Sequence, residues 1–418
     1  MERAAAEKQP VTYRDVFHNG NWIRLWTGQT ISQLGDFVSD IALPLLVYEI
    51  TKSPLGLGLG FAIEMFPLIV VGPFAGVLAD RVNRRTLLLV ADVARIFCAL
   101  GMFLSSSVWQ LYLLALVAAI MQALFLATYS ATIPQMTQDQ FSKSISLSYM
   151  GYNSMQVLGP MVAAGIIGLA HGPRAAFLFD ALTFTTASLM TLTIRVDNVE
   201  RTTSAGRFLS DLRRGLVFLW QDTRVRYFAS HNIILTLSGA ASTLGTVLYV
   251  KTAFGVSATT SDQLYGVIGA LAAGSLAFVA WLIGLLDERL SKGAFILYAP
   301  PATGLVYLLF FFHPGLLLAL PIFVAISVGT ACSLLPRQAM MARFIPNELR
   351  GRIYSCFNAL TALTNLLAYG VCASLSLLLP AGVVLALAGV ILLVGIPVCT
   401  FVFRGRAALS REQPVLAS

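Results

Sequence analysis

The stretch GVLADRVNRR, Gly76 to Arg85, lies between two long apolar runs and gives the first indication of the fold. It carries four charged side chains, in a protein in which only 11% of residues are charged. A related stretch, GLLDERLSK at 284–292, follows about half a chain later with glycine, leucine, acid and base in matching order. Such a repeat indicates a duplicated unit. We therefore predict two related halves.

The composition indicates a membrane protein. The chain has 418 residues, of which 57% are hydrophobic, and its mean hydropathy is +0.77. Apolar runs recur that are long enough to cross about 30 Å of hydrocarbon as helices. Backbone groups in lipid must be satisfied within the segment, so helices are expected rather than strands. We predict twelve spans, at 25–48, 55–79, 86–106, 109–133, 145–170, 175–194, 227–250, 263–286, 293–312, 315–336, 353–379 and 381–403.

The distribution of Lys and Arg predicts the orientation in the membrane. With both termini in the cytoplasm, 24 of the 28 basic residues fall on the cytoplasmic side and three on the other, as the positive-inside rule requires. The expected units are a cytoplasmic tail (1–24), a six-helix bundle (25–194), a cytoplasmic connector with a partly amphipathic helix (195–226), a second six-helix bundle (227–403) and a second cytoplasmic tail (404–418).

Several classes of function are excluded by missing motifs. The sequence has no phosphate-binding G-x-x-x-x-G-K-[ST], no zinc-protease HExxH and no G-x-S-x-G nucleophile motif. The five cysteines lie scattered in apolar stretches, which argues against disulfides or a zinc site. The first 21 residues do not resemble a removable signal peptide. We expect no enzyme activity, cofactor or metal site, and no nucleic-acid partner, since no soluble basic domain is present.

A stripe of polar residues on span 1 is the first candidate site. Gln29, Gln33, Asp36 and Asp40 are spaced by four, three and four residues, which puts them on one helix face. Span 2 adds Glu64. A charged carboxylate at the bilayer centre costs at least about 2.5 kcal/mol, so these acids need an explanation. We predict that Asp36, with Asp40 and Glu64, couples transport to protons; the alternative is a protonated acid in a single interhelical hydrogen bond.

Other ionisable residues in the first half have structural interpretations. Asp92 and Arg95 stand at i and i+3 on span 3, which favours a structural ion pair. Asp180 on span 6 is predicted nearer the external end and favours a structural role.

The second half is predicted to contribute uncharged contacts. Its spans contain no acid at mid-depth, and we expect a substrate cavity shared between the halves. The candidate cavity residues are Gln29, Gln33, Asn153, His231, Asn232, Asn358 and Asn365. For His231, a structural role is the alternative to a pH-responsive one.

The quoted loop resembles the signature loop of the major facilitator superfamily. Asp80 and the three arginines fall on motif positions, and Asn83 replaces a frequent glycine. The resemblance implies an all-α membrane protein with twelve helices in two pseudo-symmetric six-helix bundles. It also implies that this loop steadies the outward-facing state. The candidate latch comprises Gly76, Asp80, Arg81, Arg84, Arg85, Glu288 and Arg289. An ordinary positively charged turn is the alternative.

Three further stretches are similar to the macrolide-efflux and enterobactin-exporter branch: WTGQTISQLGD at 26–36, ADVAR at 91–95 and IPNELRGRIYS at 345–355. Span 5 resembles the antiporter motif G-P-x-x-G through Gly159 and Pro160, although Ala163 stands where its last glycine is expected. A plain proline kink is the alternative there.

These observations together predict a monomeric secondary transporter in a bacterial cytoplasmic membrane. Its partners are expected to be protons, membrane lipids and an amphipathic small-molecule substrate that is cationic or neutral, such as a macrolide-like drug or a siderophore. A lysophospholipid transporter and a proton-coupled importer remain alternatives within transport. A membrane scaffold or receptor without transport is the alternative from another class.

Overall fold

The computed structural model describes residues 13–196, 222–286, 292–344 and 347–403, and almost all of them are helical. The first half begins with a short helix, α1. Its helices are α1 (Tyr13–His18), α2 (Gly20–Thr51), α3 (Pro54–Val70), α4 (Gly72–Arg81), α5 (Arg84–Leu104), α6 (Val108–Thr137), α7 (Phe141–Ala170) and α8 (Arg174–Thr193). The second half contains α9 (Thr223–Thr252), α10 (Ala258–Leu286), α11 (Lys292–Tyr307), α12 (Leu316–Phe344), α13 (Asn347–Leu375) and α14 (Ala381–Val402).

Eleven helices in the described part are long and apolar enough to cross a membrane, and a twelfth apolar segment, Pro54–Pro67, is shorter. That segment belongs to the predicted second span, which is divided into α3 and α4 at Val71. Pro73, at the start of α4, has no backbone N–H to donate to the preceding turn, which explains the break. The chain breaks again between Leu375 and Ala381, so the last two predicted spans are separate helices.

The helix pairs of the first half recur in the second. In the first half α2 packs on α7 and α8, α5 packs on α6 and α8, and the α3–α4 pair packs on α6. The second half repeats this with α9 on α13 and α14, α11 on α12 and α14, and α10 on α12. The architecture is therefore two pseudo-symmetric six-helix bundles, as the repeated loop predicts.

The two halves meet through α3 with α13 and α7 with α10. We call the end of the bundle that holds Gly20 and the α4–α5 turn the tail end, and the opposite end the distal end. A Cβ on Gly266 of α10 would lie 2.8 Å from the Cβ of Ala164 on α7, so these helices are in close contact. Gly266 lies eight residues from the distal start of α10, about 12 Å along the helix. The halves are thus joined from the distal end towards mid-depth.

A buried ion pair lies at the same distal end. Lys251 of α9 bonds Asp262 of α10, and both side chains are buried. Glu49 and Lys52, at the end of α2, are close enough to influence Asp262 electrostatically. The sequence predicts that the eighth span begins at 263, but α10 begins at Ala258 and includes this acid.

The tail end explains several residues of the quoted loop. Asn83 caps α5 by accepting the backbone N–H of Thr86 at 3.2 Å, a role glycine could not fill with a side chain. Arg84 donates to the carbonyl of Ala131 near the end of α6 at 2.6 Å. Arg85 donates to the carbonyl of Leu192 near the end of α8. These arginines therefore connect the start of α5 to α6 and α8, and the carbonyl of Leu192, in the last turn of α8, is one that lacks a helical partner.

The predicted latch is only partly described. Gly76 was expected to allow close helix approach, yet a Cβ there would meet no atom within 4 Å in this structure. Arg81 is exposed. The side chain of Asp80, both Glu288 and Arg289, and the amphipathic part of the connector lie outside the described residues.

Candidate functional site

A cavity of about 460 Å³ lies inside the first half, among α2, α3, α5, α6, α7 and α8. Its polar lining residues are Gln29, Gln33, Asp36, Ser39, Asp40, Glu64, Arg95, Gln122, Tyr152 and Asp180. Its volume falls within the range of about 300–1,000 Å³ that small-molecule sites occupy. The polar stripe predicted on span 1 therefore faces a cavity, and Glu64 joins it there.

Depth along the helices puts these acids near the middle of the bundle. Asp36 lies sixteen residues from the start of α2, about 24 Å along a helix of about 48 Å. Asp40 follows one turn later and is within electrostatic range of both Asp36 and Glu64 of α3. Three carboxyl groups thus form a continuous row across two helices.

Asp180 of α8 is a fourth carboxyl group of the same cavity. It lies six residues from the distal start of α8 and thirteen from the tail end, so it is nearer the distal end. The Oγ of Ser39 donates to its Oδ2 at 2.7 Å. A Cβ on Gly35 would overlap the Asp180 carboxylate and the Thr183 hydroxyl, so only glycine lets α8 approach α2 so closely here. Asp180 has the hydrogen bonds expected of a structural acid, yet it also faces the row of acids.

Among the residues that the structure describes, Arg95 is the one arginine of the cavity lining. Its Nη2 donates to Oδ1 of Asp92 at 2.5 Å, which confirms the predicted ion pair on α5. Its Nη1 donates to Gln122 of α6 and lies 3.7 Å from Oδ1 of Asp36. The pair is therefore part of the site as well as of the helix packing, which the sequence interpretation missed.

The remaining wall is apolar and leaves room for a bulky guest. Small residues on α6, among them Ala115 and Ala119, line one side and create space. Phe37, Met65 and Phe184 line other sides. Aromatic and thioether groups adapt to varied apolar shapes, so the lining suits an amphipathic molecule.

The second-half candidates lie elsewhere. His231 is fully buried, and its Nε2 lies 3.2 Å from the carbonyl of Ile296. It therefore lies in the interface between α9 and α11. Asn232 donates to Thr361 and accepts from Arg337, each at 2.7 Å. Asn358 is exposed and Asn365 is half-buried, and neither lines this cavity. Asn153, a candidate on α7 of the first half, is exposed and does not line it either.

Two tyrosines of the second half lie near the acids, in the region where the two halves are joined. Tyr369 of α13 stacks on Phe61 of α3. Tyr265 of α10 and Tyr369 are buried and within electrostatic range of Glu64. The row of acids in the first half therefore reaches the interface between the halves.

Gly159 and Pro160 of α7 contact two different helices, α2 and α10. A Cβ on Gly159 would overlap the Cβ of Phe37 on α2. Pro160 faces α10, where a Cβ on Gly269 would lie 3.2 Å from it. The motif thus lies between a cavity helix and the other half.

Among the described residues, no three His, Cys, Asp or Glu side chains stand together as a group that could hold a metal ion.

Comparison with known proteins identifies a family and several relatives of this chain. The sequence profile of the Major Facilitator Superfamily matches residues 25–369. The transporter YfiS of Bacillus subtilis (strain 168), described as an uncharacterized MFS-type transporter, is 28% identical over 203 residues, covering 47% of this chain and 48% of that protein. Macrolide efflux protein A of Streptococcus pyogenes is 22% identical over 206 residues, covering 47% and 51%. The multidrug resistance protein MdtG of Citrobacter koseri is 27% identical over 184 residues, covering 41% and 44%. The chain spans about half the length of the curated relatives it matches.

Solved structures show the same fold along nearly the full chain. An inward-facing bacterial homologue of the iron transporter ferroportin has a TM-score of 0.71 at 15% identity, covering 96% of this chain and all of that one. An inward-facing bacterial homologue of the human lysosomal transporter Spinster has a TM-score of 0.70 at 14% identity, covering 98% and 100%. At these identities the likeness is one of fold.

Proposed function

This chain belongs to the major facilitator superfamily, a family of membrane transporters, and we propose that it exports an amphipathic small molecule in exchange for protons. The observation that carries the proposal is the cavity at mid-depth, where four carboxyl groups face one arginine. An excess of acids in a membrane-embedded cavity marks an ion or substrate pathway. The sequence lacks a nucleotide motif, so an ion gradient is the proposed energy source.

The lining favours a substrate that is cationic or neutral. Carboxylates attract a cationic group, while Phe37, Met65 and Phe184 offer apolar surface to the rest of the molecule. Macrolide-like drugs fit this description, and siderophore-like molecules remain candidates. The names of macrolide efflux protein A and MdtG describe an efflux protein and a multidrug resistance protein, which supports export as the direction.

We assign separate roles to the acids. Asp36 faces the cavity beside Arg95 and is the principal proton carrier. Asp40 and Glu64 continue the row towards the second half and modify how Asp36 binds its proton and the substrate. Neighbouring acids titrate as a coupled set, so one protonated and one ionised member can coexist.

The proposed cycle follows from where the halves touch. The contacts described between them lie from the distal end towards mid-depth, and we take the structure as a state open towards the tail end. With both termini in the cytoplasm of a bacterial cell, as the basic residues predict, this is the inward-facing state. Rocking of one bundle against the other would then expose the same site to the outside.

Transport in inverted membrane vesicles tests the proposal. The probe is tetraphenylphosphonium, a permanently charged lipophilic cation, with the membrane potential clamped and the lumen acidified. We expect accumulation in the lumen that collapses when the pH gradient is removed, and none in vesicles without the protein. Proton-dependent loss of probe from preloaded vesicles would instead indicate an importer. Fluorescent lysophospholipid in the same assay tests the lipid alternative, and no movement of either probe would favour a scaffold.

A further inference from the structure

We propose that Arg95 is a positioning residue that divides its positive charge between Asp92 and Asp36, so that Asp92 controls how readily Asp36 releases its proton. The proposal rests on the proposed function in taking Asp36 as the proton carrier. It assigns a role to Asp92, which does not line the cavity, and to an ion pair that sequence reasoning treats as structural.

The guanidinium of Arg95 is held in a fixed plane. Its central carbon lies 4.2 Å from the ring centroid of Phe184 and 4.7 Å from that of Phe125, so an aromatic ring of α8 and one of α6 each contact it. Such contacts stabilise a cation with little freedom to move. Arg95 itself is only 2% exposed. The charge therefore stays in place while its acidic neighbours change protonation.

The two acids differ in how they reach this charge. The side chain of Asp92 is 1% exposed and bonded to Nη2, whereas that of Asp36 is 26% exposed and lies 3.7 Å from Nη1 without a hydrogen bond. Asp36 can thus meet water and substrate in the cavity, and Asp92 cannot. One acid holds the arginine and the other responds to the cavity.

Charge balance explains why both acids are needed. One guanidinium neutralises one carboxylate, so a set of one arginine and two acids is neutral when the acids hold one proton between them. Oδ2 of Asp36 and Oδ2 of Asp92 are both buried and accept no hydrogen bond in the described part of the chain. An ionised carboxylate whose buried oxygen has no donor costs free energy, and protonation lowers that cost by removing the buried charge. Either oxygen can therefore hold that proton.

The other groups around Asp36 do not duplicate this role. The titratable or charged side chains that face it from neighbouring helices or its own are Asp40, Glu64, Asp92, Arg95, Tyr152 and Asp180. Only Arg95 among them is a cation, so only Arg95 can favour the ionised form of Asp36 through opposite charge, and Asp92 competes for that charge. Asp40, Glu64 and Asp180 oppose it when ionised.

Infrared titration of the purified full-length protein in lipid tests the proposal without requiring transport. The band of the protonated carboxyl of Asp36 is identified by its loss in Asp36→Asn, and the pH at which this band disappears is compared between variants. In Asp92→Asn, Arg95 no longer pairs with a carboxylate at position 92, so its charge favours the ionised form of Asp36 more strongly. The midpoint of the Asp36 band should therefore move to lower pH by about one unit or more. Arg95→Gln removes the cation, so the midpoint should move to higher pH.

Glu49→Gln is the matched control, because it neutralises an exposed acid of α2 that lies thirteen residues from Asp36, about 20 Å along the helix. It should leave the midpoint unchanged. Arg95→Lys keeps a cation and provides a second variant if Arg95→Gln yields too little folded protein; its midpoint should stay closer to the wild type than that of Arg95→Gln. Equal midpoints in wild type and Asp92→Asn, or shifts of both variants in the same direction, would overturn the proposal. Lack of tetraphenylphosphonium transport together with the expected shifts would refute only the proposed function.

Discussion

The rings of Phe61 on α3 and Tyr369 on α13 stack with their centroids 4.7 Å apart and their planes inclined by 17°. Phe61 belongs to the first half and Tyr369 to the second, so the stack joins the two bundles. Phe61 lies three residues from Glu64, one helical turn away. The closure of the distal end and the row of acids are therefore neighbours in space.

Removing this stack should weaken the distal closure. An aromatic pair contributes about 0.5–1.5 kcal/mol beyond its area, so Phe61→Ala should raise the population of distal-open molecules by about 2- to 10-fold. Spin labels at Leu55 and Leu375, which are exposed near the distal ends of α3 and α13, measure the separation of the halves. Phe66→Ala removes an exposed ring from the same helix and should leave the distances unchanged. Unchanged distances in Phe61→Ala as well would contradict the role of the stack.

The glycine of the antiporter-type motif should be sensitive to a single methyl group. Because a Cβ at Gly159 would overlap Phe37, Gly159→Ala should destabilise the protein by about 1–3 kcal/mol, and Gly159→Leu should impair transport further. Gly165→Ala, in open space on the same helix, should be neutral. Thermal unfolding and vesicle transport are measured together. If transport falls only in proportion to folded protein, the motif is a plain packing feature.

Alanine substitutions of Arg84 and Arg81 should have different effects on stability, although both residues belong to the quoted loop. Arg84→Ala loses the bonds to the carbonyl of Ala131 and the side chain of Gln135, so the unfolding free energy should fall by about 1.5–3 kcal/mol. Arg81 is exposed, so Arg81→Ala should change it by less than about 0.5 kcal/mol. Chemical unfolding in detergent measures both. Equal effects would show that Arg84 is not tied into the first half as described.

The distal ion pair should show strong coupling. Lys251→Ala leaves the buried Asp262 without its cation and should cost about 3–5 kcal/mol, while the double substitution with Asp262→Ala should recover much of that loss. A double-mutant cycle on thermal unfolding measures the coupling. Additive losses would mean that the two charges do not depend on each other.

Sequence patterns captured the features that depend on one helix at a time. The stripe of Gln29, Gln33, Asp36 and Asp40 follows from helical periodicity, and it faces the cavity. The division of the second span was also readable in principle, because Gly72 and Pro73 follow Pro67 closely.

Features that depend on several helices were not accessible in this way. Asp180 joins the acids because Gly35 lets α8 approach α2, and a sequence does not show which helix a residue will face. Arg95 did give a signal, since it is the one basic residue within a predicted span, but its i, i+3 partner Asp92 suggested a local explanation. The polar side chains of His231 and Asn232 bond to partners within the second half and do not line the cavity.

The central claim is that Asp36 carries the proton that drives export, and one measurement addresses it most directly. Uptake of tetraphenylphosphonium into inverted vesicles is compared between wild type and Asp36→Asn, with an imposed pH gradient and, separately, as exchange without one. The asparagine cannot release a proton, so Asp36→Asn should lose uphill accumulation and retain downhill exchange. If Asp36→Asn still concentrates the probe to wild-type levels under the same gradient, Asp36 is not the carrier, and the assignment of the site is wrong.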